Sequence, residues 1–210
     1  MNADNSQDQY RLPPLNTAFV KAHGLLFTNR EIKKFKSTIN EFLRLLDNQI
    51  GRVTRKFIEQ EYHIAIANSV SILGFVLKDN VLIKAISSKD NNDTQMKETT
   101  SNDISFSMTI FKNACFITNG TLEIVLQRIG NPNVLPFIHV TLVFMFRIFQ
   151  HPGAMSLLEA DFPWKLLFIM LNTLLAIYEK SSRIENDSFP LLKKENVRPF
   201  PKDFAMQGLL

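Results

Sequence analysis

Residues 32–53 read IKKFKSTINEFLRLLDNQIGRV, and this stretch decides the fold class. Its apolar residues Ile32, Phe35, Ile39, Phe42, Leu46, Ile50 and Val53 are spaced 3, 4, 3, 4, 4 and 3 apart. At about 100° per residue these positions form one stripe on a helix, whereas a half-buried strand would alternate. The polar residues fall on the opposite side, the pattern of a helix with one face in a core. The stripe resumes with Tyr62, Ala65, Ser69, Ile72 and Val76. Gly51 either breaks or bends the run. The spacing predicts helices over 30–49 and 52–78, antiparallel because their connection is short.

Upstream, residues 1–12 are polar and expected to be disordered, and Pro13 and Pro14 open a helix over 15–28. Proline suits a first turn, where its missing N–H has no helical partner to lose. Phe19, Ala22, Leu26 and Phe27 supply the apolar face, and Asn29 is the expected cap of the next helix. Downstream, residues 87–103 (SSKDNNDTQMKETTSND) contain only Met96 as an apolar residue, which predicts a flexible loop.

A helix over 104–129 should bury Ile110, Ala114, Ile117, Leu122, Val125 and Ile129. Asn119-Gly120 is a possible break, and Gly130-Asn131-Pro132 is a stop signal. Residues 133–149 are almost wholly apolar and predict a central buried helix. The stretch 134–149 holds His139 and Arg147 and falls short of the roughly 20 residues of a membrane span. A turn at 150–153, a short helix over 154–160 and a helix over 163–180 follow. An irregular tail over 182–210 carries Pro190, Pro199 and Pro201. The expected architecture is all-α: antiparallel helices stacked over 13–181, as in helical-hairpin or repeat scaffolds.

Composition agrees with a globular chain. Of 210 residues, 45% are apolar and 21% charged, which excludes fibrous proteins and wholesale disorder. Eighteen Phe against 3 Tyr and 1 Trp supply aromatic mass without polar handles, suited to a core. A single Cys excludes an intramolecular disulfide framework and a cysteine-based zinc site. No signal-peptide layout opens the sequence.

The chemistry-bearing residues point away from catalysis. His23, His63, His139 and His151 have neither HxxxH nor HExxH spacing, so no metal-ligand pair shares one helical turn. His139 is expected to be a neutral core histidine, and His23 beside Gly24 to support close helix packing. Cys115 is expected to be an inert thiol among apolar neighbours. Glu41, Asp47, Glu59, Glu61, Glu123, Glu159 and Asp161 are scattered, without the convergence that metal-dependent hydrolysis needs. No catalytic residue, cofactor or metal is expected.

The basic residues are more informative. Nine lie between positions 21 and 56: Lys21, Arg30, Lys33, Lys34, Lys36, Arg44, Arg52, Arg55 and Lys56. Lys33, Lys34, Arg44, Arg52 and Arg55 fall opposite the apolar stripe. That face is either solvated for solubility or, with Lys56, a footprint for phosphate backbones read without sequence.

Five blocks in order carry a resemblance: AFVKAHGLLFT from Ala18, LQRIG from Leu126, NVLPFIHVTLVF from Asn133, DFPWKLL with LNTLL from Asp161 and Leu171, and PFPKDFAMQGL from Pro199. Together they resemble the DNA/RNA-binding domain of fungal proteins of the ever-shorter-telomeres type, related to the SMG-type factors of nonsense-mediated mRNA decay. The resemblance covers about residues 16–210. It implies an all-helical, non-catalytic adaptor of the nucleus or cytoplasm that associates with single-stranded DNA or RNA (telomerase RNA, telomeric DNA or mRNA). It also implies telomerase or decay protein partners; from the shortness of the 134–149 stretch, no membrane partner is expected. The family's upstream 14-3-3-like half, which holds the phosphoserine-binding residues, has no counterpart here, and the tail stops short of the family's. A protein-binding scaffold, or gene fragment, with no nucleic-acid contact is the alternative. It would leave an apolar patch exposed around Phe19, Leu25 and Leu26.

Overall fold

The computed structural model describes residues 13–29, 32–52, 54–76, 79–87 and 101–177. The expected disorder of 1–12, most of the expected 87–103 loop and the 182–210 tail lie outside the described residues. Within them the chain is all-α: α1 (Pro14–Thr28), α2 (Ile32–Arg52), α3 (Thr54–Ile72), α4 (Val81–Ser87), α5 (Ser101–Leu126), α6 (Leu135–Phe149), α7 (Pro152–Met155) and α8 (Trp164–Ile177). Single 3-10 turns stand at Gly74–Val76 and Pro132–Val134.

The stripe on α2 is the core. Phe35, Ile39, Phe42, Leu46 and Ile50 are each 2% exposed or less. Burying side chains of this size stabilises by about 1.5–3 kcal/mol apiece. α1 starts at Pro14 and lies antiparallel along α2, burying Leu15, Ala18, Ala22 and Leu26, with the Phe19 ring 5.3 Å from Phe42. Asn29, the expected cap of α2, is separated from it by residues 30–31, which lie outside the described residues. It ends α1 in the left-handed conformation (φ 51°), which asparagine tolerates. Gly51 lies within the last turn of α2. Gln49 Nε2 donates to Gln60 Oε1 at 3.3 Å. Eleven residues of unbroken helix would rise about 16 Å, so the chain folds back between them.

α3 ends at Ile72, short of the expected 78. Gly74 (φ 61°) and Phe75 (φ 55°) turn the chain left-handed, and Phe75 packs edge-on against Phe27 at 5.2 Å. Buried Asn80 then organises the corner. Its Oδ1 accepts the N–H groups of Leu82 and Ile83 at 2.8 and 3.1 Å, capping α4, and its Nδ2 donates to the Ile72 carbonyl at 3.0 Å. α4 is not foreseen from the periodicity because it is only seven residues long.

α5 holds the centre, packing against α1, α2, α3, α4 and α8. It starts at Ser101 and runs unbroken through Asn119-Gly120. There Leu43 of α2 sits so close that a Cβ on Gly120 would stand 2.9 Å from its Cδ1. Ala114, Ile117, Leu122 and Val125 are buried as expected, but Ile129 is 51% exposed. The helix stops at Leu126, and Gly130 (φ 77°) reverses the chain before Ile129 can face inward.

α6 is not the central helix. It packs one face on α3 and α7 and leaves the other open, with His139, Phe146 and Phe149 outside. Residues Pro132–Phe149 are long and apolar enough to cross a membrane by composition alone, and 44% of that window is buried inside the fold. α7 is shorter than the expected 154–160 helix and starts at Pro152. α8 follows Pro163 and packs on α5, burying Leu167, Met170 and Leu174.

Candidate functional site

Three of the six basic candidates are placed with their side chains. Lys33, Lys34 and Arg44 are exposed on α2. Lys33 and Arg44 are eleven residues apart, so they point within about 20° of each other and about 16 Å apart along the helix. Neither makes an ion pair with a described residue. Lys36 is exposed on the same helix, and so is Glu41. Asp47, the other acid of this helix, is bound by Arg128, whose Nη2 donates both to its Oδ1 and, at 2.7 Å, to its carbonyl oxygen. That pairing removes one anion from the basic face. Arg52 ends α2, and Arg55 and Lys56 open α3. The side chains of these three lie outside the described residues.

The histidines are not assembled into a reacting group. His139 is exposed on α6 rather than sunk in a core, on the side of the helix away from α3 and α7. Gly24 is exposed with open space where a Cβ would stand, so it does not mediate close packing. His23 instead bridges helices on its own: its Nε2 meets Asn68 Oδ1 at 3.1 Å, joining α1 to α3, and its ring packs at a tilt of 55° against Phe19, 4.4 Å between centroids. Burial pushes the imidazole pKa down to about 4, against the smaller opposing effect of the Asn68 hydrogen bond.

Cys115 is half-buried. Burial, and secondarily the Asp161 carboxylate, push its thiol up to about 12, so it is not a thiolate nucleophile. Glu61, on α3, is fully enclosed rather than scattered on the surface. Among the described residues no group of three or more His, Cys, Asp or Glu converges to hold a metal ion.

The largest exposed features are apolar. The expected patch on α1 is absent in that form: Leu26 is 5% exposed, while Phe19 and Leu25 are half-buried against the core. Phe146 and Phe149 on α6 and Trp164 and Phe168 on α8 stand outside instead, at 64, 67, 45 and 68% exposure. On α6, Leu135, His139, Leu142, Phe146 and Phe149 follow 4-3-4-3 spacing on one outward stripe. Trp164 opens α8. Its Nε1 donates to the Glu159 carbonyl at 2.9 Å and its ring packs 4.4 Å from Phe162, closing the turn before α8.

A second feature is a groove of about 710 Å³ along the outer face of α5, walled by Ser156, Leu157 and Asp161. Sequence reading missed it. Lys112, Phe116 and Glu123 lie within about 40° of one another on the helical wheel, but an outward phenylalanine reads as core without the fold. Comparison of the chain with family models, with curated proteins and with solved structures returns no match.

Proposed function

We propose that this chain is a non-catalytic helical adaptor that associates with single-stranded nucleic acid through the outer face of α2, in the manner of telomerase-regulating and mRNA-decay factors. The observation that carries the reading is the exposure of Lys33, Lys34 and Arg44 on one long helix whose Asp47 is already engaged by Arg128. Cations so placed meet phosphates without reading bases, and Arg52, Arg55 and Lys56 extend the basic run in sequence. The test is a salt titration of binding to single-stranded telomeric DNA, unrelated DNA and RNA. The log–log slope should be about −0.7 per phosphate, so about −2 for three contacts and about −4 for six. Reversing Lys33, Lys34 and Arg44 to Glu should weaken every strand alike. Unchanged binding would remove this reading.

A second reading, a protein-binding scaffold, is favoured by a different observation: the outward stripe of α6 that ends in the exposed rings of Phe146 and Phe149. Monomeric proteins rarely leave contiguous apolar surface open without a partner for it.

A further inference from the structure

We propose that the groove along α5 is a docking site for one amphipathic helix of a partner protein, acidic in its first turn and basic in its last. The inference rests on the protein-binding reading and not on the nucleic-acid one. The groove floor runs from Met108 to Glu123, which is about 22 Å of helix. Phe116 stands 45% exposed within it, and Leu157 faces it from the opposite wall. Its walls are a helix and tight turns, with no strand edge to offer backbone hydrogen bonds. An extended peptide would therefore bury unpaired N–H and C=O groups there, whereas a helix brings its own satisfied.

The charges set the orientation. Lys112 lies one turn in from the Met108 end and Glu123 about 16 Å further along α5, while the exposed Asp161 faces the middle of the groove, where its carbonyl accepts from Asn119 Nδ2 at 3.0 Å. The two carboxylates repel a phosphate backbone, so this surface is distinct from the basic face of α2. A helix lying parallel to α5 would meet Lys112 with an acidic first turn and Glu123 with a basic last turn, its middle turns passing Asp161. That is also the charge order its own dipole favours.

The test uses the full chain and two fluorescein-labelled helical peptides of about 18 residues, five turns each. Both carry Leu at i, i+4, i+7 and i+11 on an alanine background. One has Glu in the first turn and Lys in the last; the other has these exchanged. By fluorescence anisotropy the first should bind at least about fivefold more tightly, the effect of a few partly exposed charge pairs. The Lys112→Glu, Glu123→Lys double variant should reverse the preference. Phe116→Ser should weaken both peptides about tenfold with the circular dichroism spectrum unchanged. Equal binding of the two peptides, or a preference indifferent to the charge exchange, would overturn the proposal. So would self-association of the chain that Phe116→Ser abolishes, since the groove would then hold a second copy. The Lys33→Glu, Arg44→Glu variant should leave peptide binding intact while losing single strands, which separates failure of this site from failure of the α2 face.

Discussion

His23, Cys115 and Asn80 show how single side chains take their properties from what surrounds them. His23 is held neutral by burial between α1 and α3, with its pKa near 4 against 6.5 in the unfolded chain. The unfolded state therefore takes up the proton first. Stability is complete above about pH 6.5 and declines as pH falls toward 4, by on the order of 2–3 kcal/mol. Urea melts at a series of pH values should show that slope, and His23→Gln should flatten it. The Cys115 thiol, raised to about 12, should react with a disulfide reagent at pH 8 at least about a hundredfold more slowly than in the urea-unfolded chain. Asn80→Ala removes a helix cap and leaves the Ile72 carbonyl unpaired inside the fold, so it should cost about 2–3 kcal/mol in a denaturant melt. Nothing in the periodicity marks Asn80. Its value lies in reaching the end of α3 and the start of α4 at once, and only the folded corner brings those together.

At the scale of elements, glycines in the left-handed region set where helices stop. Gly74 (φ 61°) lies against Asn80, and an added Cβ would stand 2.6 Å from its Nδ2. Gly74→Ala should therefore cost more than the about 1 kcal/mol of a left-handed alanine, because the cap must also shift. Gly130→Ala meets Ile177 at 3.0 Å and should cost about 1–2 kcal/mol, read as a fall in Tm. Gly130 was legible as a stop because proline follows two residues later. Gly74 was not, because apolar residues continue past it and helical spacing alone extends α3 to 78. The same limitation reversed the roles of α5 and α6. α6 is the greasier helix, yet α5 is the one that packs against α1, α2, α3, α4 and α8, since hydrophobicity states how much surface wants cover and not which elements supply it.

Across the described residues, α6 and α8 each give one apolar face to the core shared with α1, α2, α3 and α5 and turn further aromatic rings outward. Phe146→Lys with Phe149→Lys should leave the unfolding free energy within about 0.5 kcal/mol, as expected for surface positions, while reducing binding of a hydrophobic dye. A loss of several kcal/mol would mean that these rings are covered. The sequence by itself determined the helical class, the α2 stripe and its buried residues, and the outward direction of Lys33, Lys34 and Arg44. Each of these follows from the angular repeat of one helix, which is a local property. Tertiary structure alone decided that α5 is central, that His139 faces outward, that Asp47 is engaged by Arg128, and that Lys112, Phe116, Glu123 and Asp161 share a groove. Those outcomes depend on which faces meet across 38 to 81 residues of intervening chain, and no local repeat encodes that pairing.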